Sequence, residues 1–208
     1  MSELTTFGSL QIAFDDRVLR PREWTTAQSE WAADLLPDLP PGAVLELCAG
    51  AGQIGLLAVA GTTRPLVCVD ASAAACDFTR ANARDAGFAS RVQVRNARLE
   101  EAVGPDERFP LIIADPPWVP REETGGFPED PLTAIDGGDD GLDVARACLR
   151  VVDDHLAAAG CALLQLGTAE QVRVLAGEES VLSGSLAVGG VRQFERGVVV
   201  RIDRPAGR

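Results

Sequence analysis

The residues of this chain best suited to chemistry fall in three places: Asp115-Pro116-Pro117-Trp118, Asp70, and the run from Ala43 to Gly55. Asp115 offers a hydrogen-bond acceptor, the paired prolines fix the backbone while contributing no N–H, and Trp118 offers a broad flat wall. Together they suit a planar group bearing an NH2, although a rigid turn alone would use the same residues. Asp70 closes the apolar run Pro65-Leu-Val-Cys-Val, where one carboxylate can engage two neighbouring hydroxyls such as those of a ribose; capping the following helix is its structural alternative. In Ala43-Val-Leu-Glu-Leu-Cys-Ala-Gly-Ala-Gly-Gln-Ile-Gly55, a buried strand passes into a small-residue loop and then a helix. Gly50 and Gly52 let that backbone turn sharply and approach a ligand. The acid Glu46 sits within the strand.

These positions need elements to carry them. Apolar runs and helical stretches alternate along the chain: a helix over 53–60, a strand over 65–70, a helix over 71–86 ending at Gly87, and a strand over 92–94. A buried strand at 111–114 follows, then a helix over 144–158, a strand over 162–166 and a helix over 168–175. Such alternation predicts βαβ units around a mostly parallel sheet with helices on its faces. Two terminal strands, 186–188 and 197–201, are expected as a hairpin separated by residues 192–196. Ahead of the core, Leu10-Gln-Ile-Ala-Phe14 reads as a strand or hairpin with a turn at Asp15-Asp16. Thr25 or Thr26 is positioned to cap a helix through Trp31 and Leu35. Arg22 and Trp24, beside a proline and a helix start, are candidates for closing the site. Phe127, in the Gly-, Pro- and acid-rich stretch 122–141, is a candidate lid contact, with ordinary loop packing as its alternative.

Composition narrows the partners. With 208 residues, 46% hydrophobic and 24% charged, the chain can bury one substantial core. A net charge of −12 repels polyanions and anionic lipid, which favours a protein or small-molecule substrate over nucleic acid and gives no reason to expect a membrane partner. The five cysteines lack disulfide or C-x-x-C spacing and read as reduced and packed; His155, the single histidine, lies on a helical stretch away from the loop. Neither a signal-like run nor a bilayer-length apolar segment is present, so a cytoplasmic enzyme without a metal is the expectation. Gly50-Ala-Gly-Gln-Ile-Gly55, with Asp70 beyond it, also matches the dinucleotide fingerprint literally, which keeps an NAD-dependent oxidoreductase open beside a non-catalytic cofactor-binding protein.

Taken together, Glu46 through Gly52, Asp70 and Asp115-Pro-Pro-Trp118 resemble the class I S-adenosylmethionine-dependent methyltransferases. More narrowly they resemble the protein-glutamine N5-methyltransferases of peptide release factors, whose motif is Asn-Pro-Pro-Tyr. Leu19-Arg-Pro-Arg-Glu-Trp-Thr25 is similar to that family's Leu-Ile-Pro-Arg-Pro-Glu-Thr, and Gly137 through Asp143 is similar to its Gly-Gly-x-Asp-Gly-Leu-Asp. The resemblance implies an α/β fold with a seven-stranded, mostly parallel sheet whose last strand is antiparallel. It further implies a cofactor-binding domain over 41–208; residues 1–40 read as a lead-in segment and helix, a departure from the separate N-terminal helical domain that family members carry. S-adenosyl-L-methionine is then the cofactor. Gly50 and Gly52 would lie by its methionine portion, Asp70 by its ribose, and Asn96 and Ala97 by its adenine, with Glu46, Cys48, Ala49 and Ala71 completing the cofactor-binding set. Asp115, Pro116, Pro117 and Trp118 would hold the acceptor nitrogen, Asp115 being shared between acceptor and cofactor. The departures are Asp115 for Asn, Trp118 for Tyr, and Ala97 where an acidic residue is common. Because Asp-Pro-Pro-Trp also resembles the motif of adenine-N6 methyltransferases, an adenine or a small-molecule amine stands as the alternative acceptor to a protein glutamine, with oligomeric state open.

Overall fold

A computed structural model describes residues 2–178 and 185–204. Its centre is a seven-stranded sheet built from β3 (Val44–Leu47), β4 (Leu66–Asp70), β5 (Val92–Asn96), β6 (Phe109–Ala114), β7 (Leu156–Leu166), β8 (Ala187–Phe194) and β9 (Gly197–Asp203). The spatial order is β5-β4-β3-β6-β7-β9-β8. β3 pairs in parallel with β4 and β6, and the parallel set extends to β5 and β7, whereas β9 is antiparallel to both β7 and β8. The expected sheet, with its last strand reversed, is therefore present.

The two-residue period of the strands sorts their side chains into two cores. Val44, Leu66, Cys68, Leu111, Ile113 and Leu163 face one side, which α1 (Thr26–Leu35), α2 (Gln53–Val59) and α3 (Ala73–Asp85) cover. Leu45, Leu47, Val69, Ile112, Leu164 and Val200 face the other, beneath α5 (Asp143–His155) and α6 (Ala169–Gly177). The short α4 (Leu132–Ile135) lies in the loop between β6 and α5. Since the chain runs from β3 outward through β4 and β5 and then returns to β6 on the other side of β3, the strand order reverses there. The C-terminal ends of β3 and β6 consequently flank the crevice where open α/β sheets bind ligands.

Several boundaries differ from expectation. The N-terminal hairpin pairs β1 (Glu3–Phe7) with β2 (Leu10–Phe14) and turns at Gly8-Ser9, where Gly8 takes a φ of +56°; Asp15-Asp16 makes a separate turn after it. Neither Thr25 nor Thr26 caps α1, because their hydroxyls donate instead to the Arg22 and Glu23 carbonyls at 2.8 Å. α5 stops at His155 and β7 begins at Leu156, which packs into the core and pairs with Phe109; Ala157 to Ala159 then form an irregularity before pairing resumes between Cys161 and Leu111. In the terminal hairpin Arg192 to Phe194 belong to β8, and Glu195-Arg196 alone make the turn.

The hairpin is attached to the sheet domain through Asn82, a buried residue of α3. Its Oδ1 accepts from the Ala13 N–H at 2.8 Å, while its Nδ2 donates to the Ala13 carbonyl at 3.0 Å and the Ala51 carbonyl at 2.9 Å. One amide thus joins the lead-in to the small-residue loop. Replacing it strands three backbone groups in a buried place, so Asn82→Leu should lower stability by roughly 2–3 kcal/mol and raise amide exchange at Ala13 ahead of global unfolding. Denaturant unfolding and hydrogen exchange would check both.

Candidate active site

The C-terminal ends of β3, β4 and β6 open into a cavity of about 460 Å³, within the ~300–1,000 Å³ range of small-molecule sites. Cys48 and Gly50 line it from beyond β3, Asp70 and Ala71 from the end of β4, Ala97 from beyond β5, and Asp115 and Pro117 from beyond β6. Four regions separated in the chain converge here because parallel strands all end on one edge.

The loop after β3 is held open by Asp70. Its Oδ2 accepts from the Gly50 N–H and its Oδ1 from the Ser72 N–H, both at 2.8 Å. Each oxygen retains a lone pair for a further donor. Ser72, rather than Asp70, caps α3, its hydroxyl accepting from the Ala75 N–H at 3.3 Å. Gly50 and Gly52 have φ of +55° and +79°, the left-handed region in which a Cβ is strained, and a Cβ on Gly52 would also crowd Thr79. Cys48 adopts +56° despite its side chain; its thiol lies 3.9 Å from that of Cys148. All five cysteines are free.

Glu46 serves this loop from below. Pointing beneath α2, it accepts from the Gly55 N–H at 2.8 Å and from the Cys68 thiol at 3.3 Å, and is only 2% exposed. A Cβ at Gly55 would collide with its carboxylate, so the glycine is required by the acid. Burial pushes the Glu46 carboxyl up to about 7 and likewise raises Asp70. Asp115 is also pushed up to about 7 by desolvation alone, so near neutrality it exists in both ionised and neutral forms.

Of the remaining predicted positions, Ala49, Gly52, Asn96, Pro116 and Trp118 lie beside the cavity's lining without forming part of it. Asn96 fixes the end of β4, its Nδ2 donating to the Asp70 and Ala71 carbonyls at 3.0 Å. Arg22, Trp24 and Phe127 are also outside the lining. Arg22 forms a two-pronged ion pair with Asp130 at 2.7 Å, tying the lead-in to the loop after β6; Trp24 sits near Gly197, and Phe127 is exposed. The lead-in wall is made instead by Arg17, Val18 and Leu19, and the opposite wall includes Val144 and Arg150 of α5. Only Leu19 belongs to a motif, as the first residue of the stretch through Thr25; the others reach the cavity through the hairpin anchor and through the helix that follows the Gly-Gly-Asp turn. His155 lies at the other end of the sheet, its Nδ1 3.0 Å from the Glu107 carbonyl.

The strand order, the reversed β9 and the cavity define the class I methyltransferase architecture. Solved structures carry the same fold at low identity. The catalytic domain of hMettl16, crystallised with a MAT2A 3'UTR hairpin, has a TM-score of 0.72 and 14% identity over 94% of this chain and 74% of that one. Human methyltransferase 10 domain containing protein has a TM-score of 0.64 and 12% identity over 93% and 88%. The family model "Methyltransferase small domain" matches residues 28–126. A ribosomal protein uL3 glutamine methyltransferase of Bradyrhizobium diazoefficiens is 33% identical over 171 residues, covering 76% of this chain and 53% of the relative. A release factor glutamine methyltransferase of Geobacter sulfurreducens is 32% identical over 175 residues, covering 81% and 60%.

By fold and by these matches the chain classes with the class I S-adenosylmethionine-dependent methyltransferases. Within that class it resembles the release-factor and ribosomal-protein glutamine methyltransferases, spanning little more than half the length of such relatives. Among the described residues no helix is long and apolar enough to cross a membrane.

The buried acid yields a stability prediction. A carboxyl raised from 4.5 to about 7 by folding is protonated more readily in the native state, so its contribution is fully present below pH 4.5 and is lost as pH rises through about 7. For Glu46 that loss is on the order of 3 kcal/mol at most. Glu46→Gln should therefore clearly shrink the fall in unfolding free energy between pH 5 and pH 8, the remainder coming from Asp115 and Asp70. Urea unfolding at the two pH values measures this.

Proposed function

We propose that this chain transfers a methyl group from S-adenosylmethionine to a planar nitrogen held at Asp115, the acceptor being a glutamine side-chain amide of a protein. The observation carrying the proposal is that Asp115 and Pro117 open into the same cavity as Gly50 and Asp70, joining an acceptor motif to a cofactor loop. The residues suit the cofactor. Asp70 keeps free lone pairs for two ribose hydroxyls, Gly50 leaves room beside it, and Val69, Ala97 and Leu99 give an apolar wall for a purine. When bound, the cofactor supplies a methyl group on a sulfonium, already activated for transfer.

The chain's own contribution is placement. A carboxamide nitrogen is a poor nucleophile because its lone pair is delocalised into the carbonyl. Asp115 Oδ and the Pro116 carbonyl accept from its two N–H groups, turning the lone pair towards the methyl. As the nitrogen gains the methyl carbon and that carbon's bond to sulfur breaks, ionised Asp115 stabilises the developing positive charge, and once the N–C bond has formed the acidified N–H proton passes to water. The exocyclic amino group of adenine presents similar hydrogens, and Trp118 would offer it a stacking wall, but a net charge of −12 opposes a polyanionic substrate.

Incubation with trideuteromethyl cofactor and either uL3 or a release factor, followed by mass spectrometry, should place the label on a glutamine side chain. Label on adenine N6 in an RNA control, with none on protein, would overturn the choice of acceptor. Because only ionised Asp115 stabilises the cationic nitrogen, kcat should rise with pH through an apparent value of about 7 or below. Asp115→Asn should flatten that limb; an unchanged pH profile in the variant would contradict the role given to the carboxylate.

A further inference from the structure

Trp118 is held by a set of contacts that no part of the cofactor site requires. Its benzo ring lies so close over Gly167 that a Cβ there would clash with it, Cε3, Cζ3 and Cδ2 being the nearest atoms. Its carbonyl is approached on the other side by Gly141, whose φ of +74° and missing Cβ leave space for that oxygen and for the Gln171 amide.

Gln171 joins these pieces. It is the third residue of α6 and closes a capping box: its backbone N–H donates to Thr168 Oγ1 at 3.2 Å, and its Oε1 accepts from the Thr168 N–H at 3.2 Å and the Gly167 N–H at 3.0 Å. Glutamate and glutamine fill this position equally well in capping boxes. Here Nε2 has a further use, donating to the Trp118 carbonyl at 2.9 Å. Only one orientation of the amide satisfies all the bonds, because the two backbone N–H groups need an acceptor and the Trp118 carbonyl needs a donor. The residue is 8% exposed, so little water can replace either half of its amide.

We infer that Gln171 is a positioning residue for the acceptor wall: it locks Trp118 over Gly167 through Nε2 while its Oε1 separately caps α6. The inference rests on the proposed acceptor site at Asp115-Pro-Pro-Trp118. A glutamate would keep the cap, add a favourable negative charge at a helix N-terminus, and set an oxygen against the Trp118 carbonyl. Gln171→Glu therefore separates the two roles.

In Gln171→Glu the kept cap offsets part of the lost Trp118 bond, so the thermal midpoint should fall by roughly 3–8 °C with the protein still folded. With 15N-labelled tryptophan, the Trp118 indole N–H resonance, assigned by its loss in Trp118→Phe, should shift or broaden while those of Trp24 and Trp31 stay in place. With uL3 or release factor as acceptor, KM for the acceptor should rise about tenfold with the Kd for S-adenosylmethionine unchanged. An unmoved Trp118 resonance together with an unchanged acceptor KM would overturn the inference. If the unaltered protein methylates neither acceptor, the reading of the site fails, yet the indole resonance still decides whether Gln171 positions Trp118.

Discussion

The hydrogen bond from the Gly50 N–H to Asp70 is the constraint on which the rest of the site depends. It crosses from the loop after one strand to the end of its neighbour, and it forms only if β3 and β4 are in register and Gly50 is left-handed. Once made, it turns the loop's backbone away from the sheet edge and leaves a cavity between that loop and β6. Glu46 secures the same loop from beneath by pairing with Gly55, so the turn is fixed at both ends by carboxylates accepting backbone N–H groups. Both acids lie in low-dielectric surroundings, and their destabilised charges are the cost of this arrangement.

A second set of contacts governs the other side of the cavity. Arg22 with Asp130, Gln171 with Trp118, and Asn82 with Ala13 and Ala51 each connect segments distant in sequence. Each uses a buried or half-buried polar side chain whose hydrogen bonds are directed, and this sets the position of a loop more narrowly than apolar packing can. The lead-in hairpin, the loop after β6 and the start of α6 are thereby referred to a common frame. That frame suits a reaction whose catalysis consists mainly of alignment.

Much of this is legible in the sequence because strand period and small-residue loops are local signals. Val44 to Leu47, Leu66 to Asp70 and Leu111 to Ala114 are short apolar runs, and each ends on a residue that the cavity uses or adjoins. The literal dinucleotide fingerprint at Gly50, Gly52 and Gly55 could not by itself choose a cofactor, because those glycines answer to backbone geometry and to Glu46. The reversed β9, inserted between β7 and β8, separates this sheet from the parallel dinucleotide-binding order. Long-range partners are what local signals miss. Arg17, Val18 and Leu19 reach the cavity only because Asn82 anchors the hairpin, and Gln171 is an ordinary capping residue until Trp118 is seen beside it. The proline and helix start that suggest Arg22 and Trp24 for the site place Arg22 against Asp130, outside the cavity's lining.

The central claim is that the loop beyond β3, held by Asp70, is built for S-adenosylmethionine. Calorimetric titration of the protein with S-adenosylmethionine and, separately, with NAD tests it most directly. Saturable one-to-one binding of S-adenosylmethionine that is lost in Asp70→Ala, with no heat from NAD, is the predicted result; binding of NAD in preference to S-adenosylmethionine would contradict it.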